Sequence, residues 1–78
     1  MPTTIIKVYN NSYRKWAKGA RVRLSFDASL GGFSKDAYTD ENGTAILEHS
    51  SSGMATVYVD GKDMGRMRTP GTGNFSIN

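Results

Sequence analysis

A chain of 78 residues without cysteine fits one compact domain, residues 1–78, and excludes disulfides and thiolate metal sites as sources of stability. No apolar run approaches the roughly 18 residues of a membrane span, so we expect no membrane insertion. Met1–Asn10 lacks the charged start, apolar centre and small-residue cleavage site of a signal peptide, and the sequence leaves the compartment open.

The net charge of +3 is distributed unevenly along the chain. Residues 1–26 contain six lysines and arginines and no acidic residue, whereas all seven acidic residues lie between Asp27 and Asp63. Such asymmetry is typical of a protein with an anionic partner. It is equally compatible with a mixed surface on which the two segments are neighbours and their charges cancel.

Short alternating segments separated by turn residues predict an all-β fold. Thr4–Asn10 is the first predicted strand, with Ile6 and Val8 on one face. Ser12–Lys18 offers at most one helical turn, which the following glycine ends. Ala20–Ala28 is the clearest strand, because its apolar residues alternate strictly with arginines and other polar residues.

A short strand at Lys35–Thr39 leads into the turn Asp40–Gly43. Asp and Asn side chains bond their own backbone, and Asn-Gly accepts the positive φ of a hairpin. Thr44–His49 is therefore expected to continue the pair as its second strand.

The last third of the chain repeats the pattern of short strands and tight turns. Met54–Asp60 alternates again, and Asp60–Asp63 predicts a tight hairpin into Met64–Thr69. Asn74–Asn78 supplies a final strand. About seven strands and no helix predict an all-β sandwich. Its expected core is Ile6, Val8, Val22, Leu24, Phe26, Leu47, Val57, Val59 and Phe75.

Three segments carry a resemblance to a known family: Lys18–Val22 (Lys-Gly-Ala-Arg-Val), Tyr38–Ala45 (Tyr-Thr-Asp-Glu-Asn-Gly-Thr-Ala), and Gly53 before a valine-rich strand. They resemble carboxypeptidase regulatory-like and transthyretin-like domains over residues 4 to about 60. The resemblance implies a seven-stranded, immunoglobulin-like Greek-key sandwich. It also implies an accessory, adhesive or spacer module of a larger, often exported, bacterial-type protein, and so favours an extracytoplasmic location. The family's usual proline before its Gly-Ala pair is replaced here by Ala17-Lys18.

A related group, the pilin-type sandwiches, joins a first-strand lysine to a last-strand asparagine beside a buried acid. Lys7, Glu48 and Asn78 would have those roles here. Alternation, however, places Lys7 on the face opposite Ile6 and Val8, and the group's late acid-Pro-Gly-Tyr motif is missing. Loss of ammonia from the intact mass is the signature that would identify this bond.

Catalytic residue types are scarce. His49 is the only histidine, and Ser50, Ser51 and Ser52 follow it directly. A small hydrolase or small-molecule carrier that uses these residues is the alternative function. Triad members usually come from distant segments, so we expect an exposed histidine at a strand end before a polar turn, and no enzyme.

No metal or cofactor is expected. One histidine without cysteine is a poor zinc donor set, and Asp40–Gly43 lacks the twelve-residue ligand spacing of a calcium loop. Gly71–Gly73 lacks the Lys-Ser/Thr of a phosphate-binding loop and precedes no helix.

The outward positions of three predicted strands give the strongest candidate site. If those strands are neighbours, as the family fold implies, one face carries Arg21, Arg23, Thr56, Tyr58, Arg66 and Arg68. Arginine around an aromatic residue suits an anionic ligand, because the planar guanidinium binds carboxylate or phosphate at two points. The competing interpretation is a solvated basic face that disfavours aggregation at sheet edges.

Trp16, with Tyr13, is the second candidate, since tryptophan is enriched at interfaces and stacks on sugars. Its alternative role is to cap an open end of the sandwich.

From these candidate sites we expect a non-catalytic interaction module with a protein or anionic-glycan partner. Nucleic acid is disfavoured because a charge of +3 is modest and one aromatic residue in the patch is few. The sequence leaves the oligomeric state open.

Overall fold

The computed structural model describes residues 3–26, 35–49 and 52–77. Within these residues the chain is all-β and forms eight strands. They are β1 (Thr3–Asn10), β2 (Lys15–Trp16), β3 (Arg21–Phe26), β4 (Ala37–Tyr38), β5 (Thr44–Glu48), β6 (Gly53–Val59), β7 (Lys62–Thr69) and β8 (Thr72–Ile77). The described part contains no long apolar helix of the kind that crosses a lipid bilayer.

The strands form two sheets in a sandwich-like arrangement. In the first sheet, β1 is central: β5 and β2 pair with it antiparallel along one edge, and β8 pairs with it in parallel along the other. The second sheet has the order β4-β3-β6-β7, and its neighbours are all antiparallel. The all-β prediction is confirmed.

Apolar side chains between the two sheets form the core, because alternation turns every second residue inward. The residues buried as predicted are Ile6, Val8, Val22, Leu24, Phe26, Leu47, Val57 and Val59. Phe75, also predicted in the core, packs against it but is half-buried. Phe75 lies on β8, an edge strand, where the neighbouring sheet covers the side chain on one side only.

The tight hairpin predicted between β6 and β7 is present. Val59 pairs with Lys62, so the loop is Asp60-Gly61, and both loop residues have positive φ, 52° and 84°. Two consecutive positive φ angles define the turn that matches the twist of antiparallel strands, and Asp-Gly suits it well.

The single helical turn that the sequence allowed at residues 12–18 does not form, and the short strand β2 lies within this stretch. The Asn10 side-chain oxygen accepts hydrogen bonds from the Ser12 and Tyr13 N–H groups at 2.9 and 3.1 Å, which turns the chain back. Arg14 then adopts a positive φ of 52°, outside the helical region. The chain consequently returns along β1, with Trp16 opposite Tyr9.

The Asp40–Gly43 turn forms, but it does not join hairpin partners, so that expectation is wrong. The Asp40 side chain accepts the Asn42 and Thr44 N–H groups at 2.8 and 3.0 Å. β4 nevertheless pairs with β3 in the second sheet, whereas β5 pairs with β1 in the first.

Hydrogen bonds at the two ends of this turn explain why the strands separate. The Thr39 N–H donates to the Ala20 carbonyl at 3.0 Å, and the Thr39 hydroxyl accepts the Ala20 N–H at 2.9 Å. On the other side, Thr44 pairs with Lys7 of β1. The turn therefore carries the chain from one sheet to the other.

Candidate functional site

The second sheet presents its outer face as predicted, because β3 pairs with β6 and β6 with β7. Arg23 lies directly opposite Tyr58, and Thr56 lies opposite Arg66. This register places the predicted residues on one face: Arg21, Arg23, Tyr58, Arg66 and Arg68.

Only part of this set encloses a cavity. Arg21, Arg23, Tyr58 and Gly61 line a concave site of about 260 Å³. Arg66 and Arg68 lie farther along β7, opposite Thr56 and Met54, and are exposed beside the cavity. The structure thus divides the predicted set into three lining residues and two flanking ones.

Asp36 is a site residue that the sequence analysis missed. Its Oδ1 accepts a hydrogen bond from Arg23 Nε at 2.8 Å, and the two side chains are 32% and 39% exposed. The hydrogen bond from Arg23 lowers the pKa of the Asp36 carboxyl, and partial burial opposes this by raising it. The positive charges of Arg23 and Arg21 lower the pKa further. The same hydrogen bond raises the pKa of Arg23.

Alternation in the sequence places Asp36 on the same face as Tyr38, two residues later. Only the pairing of Tyr38 with Arg21, which the structure provides, puts Asp36 beside Arg23. A second acid, Asp63, lies opposite Tyr58, and its Oδ1 accepts the Gly65 N–H at 2.9 Å. The face is therefore less basic than its arginines alone indicate.

Arg21 remains the main source of positive charge in the cavity. Among the described residues, no carboxylate forms a salt bridge with its guanidinium, in contrast to Arg23 with Asp36. Arg21 lies on β3 at the cavity, beside the Tyr58 phenol and Arg23, whose charge Asp36 neutralises. This arrangement suits one anionic group, with the planar guanidinium as its partner.

Trp16 lies elsewhere, on the outer face of the first sheet. Its ring meets that of Tyr9 edge to face, with centroids 5.4 Å apart, and Lys7 Nζ lies 4.4 Å from its centroid. Trp16 is thus packed against the Tyr9 ring and the Lys7 ammonium. It remains 41% exposed and, with Tyr13 at 72%, lines a groove of about 480 Å³.

His49 is buried, so the prediction of an exposed histidine is wrong. The residue is 5% exposed, its Nε2 lies 2.7 Å from the Thr4 hydroxyl, and its ring lies 5.1 Å from that of Phe26. The inward alternation of Ala45 and Leu47 simply continues to position 49. Of the serines beyond it, Ser52 is exposed. Ser50 and Ser51 lie outside the described residues.

The residues of the pilin-type bond are not brought together in the described part of the chain. The Lys7 ammonium lies over Trp16 on the outer face, and Glu48 is exposed. Asn78 lies outside the described residues. Residues 3–26, 35–49 and 52–77 also contain no group of three or more His, Asp or Glu side chains placed to hold a metal ion.

Comparison with known proteins assigns no family: no family model, curated protein or solved structure matches this chain. The class that the structure defines is an all-β protein with a sandwich-like pair of sheets. One such fold hosts many functions, so the function depends on the side chains of the site.

Proposed function

We propose that this protein is a non-catalytic interaction module that binds an anionic group of a protein or glycan partner in the cavity lined by Arg21, Arg23 and Tyr58. The observation that carries the proposal is the cavity of about 260 Å³ on the outer face of the second sheet, with two guanidiniums and a phenol in its wall. Gly61 completes the wall of the cavity.

The chemistry of the three side chains supports an anionic ligand. The Arg21 guanidinium offers two parallel N–H donors to a carboxylate or sulfate. Arg23 is oriented by Asp36, whose two carboxylate oxygens accept hydrogen bonds from Arg23 Nε at 2.8 Å and Nη2 at 3.5 Å. Tyr58 supplies a hydroxyl and a flat ring beside them. Arg66 and Arg68 add longer-range attraction along β7.

A role as an accessory to a larger surface or secreted protein belongs to the same proposal. It is supported by the resemblance to transthyretin-like Greek-key domains and by the sandwich-like pair of sheets. The alternative, a hydrolase or carrier based on His49, has less support, because that side chain is 5% exposed and bonded to Thr4.

The test is a binding titration with two probes, a heparin oligosaccharide and a glutamate-rich peptide, at about 50 mM and about 300 mM salt. We expect one probe to bind and its affinity to fall with salt. The double variant Arg21→Glu/Arg68→Glu should abolish binding while the urea midpoint stays close to that of the wild type.

The matched control is Arg14→Glu/Lys62→Glu, which changes the net charge equally at exposed positions that do not line the cavity. It should retain most of the binding, which separates a local site from a general charge effect. If Trp16→Ala removes binding while the Arg21 and Arg68 reversals do not, the Trp16 groove is the site and the proposal is wrong.

A further inference from the structure

The strand β8 is an open edge of the first sheet. It pairs with β1 in parallel, and in the described part of the chain no strand lies on its other side. The Ile5 N–H donates to the Gly71 carbonyl, and the Asn11 N–H donates to the Ile77 carbonyl. These two bonds define the hydrogen-bond pattern between the strands. The backbone N–H and C=O groups of the odd-numbered residues of β8 are therefore directed to β1. The backbone groups directed to the open edge belong to Thr72, Asn74 and Ser76.

The other edges carry features that discourage strand pairing. β7 bears four charged residues, and its pairing with β6 is interrupted by a bulge between Asp63 and Arg66. β2 and β4 are each only two residues long. The edge of β5 ends in Glu48, and Lys35 and Asp36 line a cavity beside its exposed Ile46. β8, in contrast, has the sequence Thr-Gly-Asn-Phe-Ser-Ile, with no charge and no proline. Edges of that kind are templates for further pairing.

Within the described residues, the core is also only partly covered along this side of the sandwich. Most of the half-buried apolar residues that pack against the core lie on β7 and β8: Met64, Met67, Phe75 and Ile77. Gly73 permits close packing there, since a Cβ at that position would lie 2.8 Å from the Phe75 ring and 3.0 Å from the Met67 sulfur. An additional strand beside β8 would cover this apolar margin.

We propose that a second copy of this chain pairs with the open edge, β8 against β8 and antiparallel, about a two-fold axis near Asn74. Thr72 then lies opposite Ser76 of the second copy, and the edge-directed backbone groups of each strand bond those of the other. Six residues give a contact about 20 Å long. The first sheets of the two copies become one continuous sheet.

Two features favour a second copy as the occupant. β8 has no charged residue, so self-pairing places no like charges opposite each other in a chain of net charge +3. A two-fold axis also pairs the β8 edges of both copies with each other, so neither β8 edge remains for a third copy. The remaining edges of the described strands are short, charged or bulged. The assembly therefore closes at two copies and does not grow into a fibre.

Sedimentation velocity of the wild type over about 10 μM to about 1 mM tests this, a range chosen for a weak to moderate interface. We expect the mass to rise from 8.5 kDa to twice that value. Asn74→Pro removes an N–H that is directed to the open edge and makes no hydrogen bond to β1. Ser76→Lys adds a charge to the same edge. Each should shift the monomer–dimer equilibrium at least tenfold toward the monomer. Ile46→Lys, the matched control on the opposite edge of the same sheet, should leave it unchanged.

Hydrogen exchange provides an independent measurement on the unmodified chain. Amides of Asn74 and Ser76 should become protected as concentration rises, whereas the Phe75 amide, directed to β1, should be protected at all concentrations. A monomer throughout the range overturns the proposal, and so does a dimer that Ile46→Lys dissociates and Ser76→Lys does not.

Discussion

Asp60 holds the backbone of Arg21 through two hydrogen bonds. The Asp60 N–H donates to the Arg21 carbonyl at 2.8 Å, and Asp60 Oδ1 accepts the Arg21 N–H at 3.0 Å. Asp60 belongs to the turn between β6 and β7, whereas Arg21 is the first residue of β3. The pair therefore fixes the start of β3 against the turn, and with it the position of Arg21 and Gly61 in the cavity wall.

Replacement of Asp60 separates this side-chain bond from the turn itself. Asp60→Asn keeps an acceptor oxygen and tolerates the φ of 52°, so we expect a change in unfolding free energy of less than about 0.5 kcal/mol. Asp60→Ala loses the acceptor and is strained at that φ, and should cost about 2–4 kcal/mol. Urea unfolding measures both. Equal losses in the two variants would show that the Asp60 carboxylate charge, not the hydrogen bond, is what matters.

The Arg23–Asp36 pair predicts a pH dependence of anion binding. Because the pKa of Asp36 is lowered, its carboxylate stays ionised at neutral pH and neutralises Arg23. As pH falls through that lowered value, Asp36 becomes neutral and the cavity gains positive charge. Sulfate, which stays ionised, should bind more tightly only as the pH falls below the ordinary pKa of an aspartate, about 3.9. The stability that the pair contributes is present above the unfolded pKa of Asp and is lost over the same acid range.

Asp36→Asn is the control for that titration. It should raise sulfate affinity at neutral pH and abolish the increase in acid, which isothermal titration calorimetry at several pH values would reveal. An unchanged acid increase in Asp36→Asn would assign the effect to another carboxylate.

Gly43 and Gly19 form a matched pair of glycines with positive φ, 71° and 75°. A Cβ on Gly43 would collide with the Val8 carbonyl and lie 3.0 Å from the Trp16 ring, whereas a Cβ on Gly19 meets nothing within 4 Å. Gly19→Ala should cost about 1–2 kcal/mol for the left-handed conformation alone. Gly43→Ala should cost more, by about 1–3 kcal/mol, in thermal or urea unfolding. Similar losses at both sites would contradict the collision.

The buried Thr4–His49 pair predicts an effect of Thr4 substitution on stability. Thr4→Val removes the hydroxyl 2.7 Å from Nε2 of His49, so the buried imidazole loses a partner at a cost of about 1–3 kcal/mol. Thr3→Val, at the adjacent exposed position, should change stability by less than about 0.5 kcal/mol. Urea midpoints compare the two. A Thr4→Val variant as stable as Thr3→Val would show that the hydrogen bond contributes nothing.

The strands and their inward residues could be predicted because alternation is a local property. Val22, Leu24 and Phe26 alternate with arginines and serine in the sequence itself, and burial follows that period directly. The Asp60-Gly61 hairpin could be predicted for the same reason, since two adjacent residues determine the turn. The burial of His49 follows from the same alternation, because His49 lies two residues beyond the inward Leu47.

The pairing of strands was decided by the tertiary structure. Asp40–Gly43 reverses the chain whether or not the flanking strands are partners, and only the bonds of Thr39 to Ala20 and the pairing of Thr44 with Lys7 assign them to different sheets. These partners are far apart in the chain, so no local pattern encodes them.

The candidate site divides in the same way. Outward alternation by itself determined that Arg21, Arg23 and Tyr58 face solvent, since each lies between inward apolar residues. The tertiary structure decided that β3 and β6 are neighbours, that Asp36 neutralises Arg23, and that Gly61 lies in the wall of the cavity. The reason is physical: the direction of a side chain follows from the backbone period, but a cavity and an ion pair require atoms from strands that only folding brings within a few ångströms.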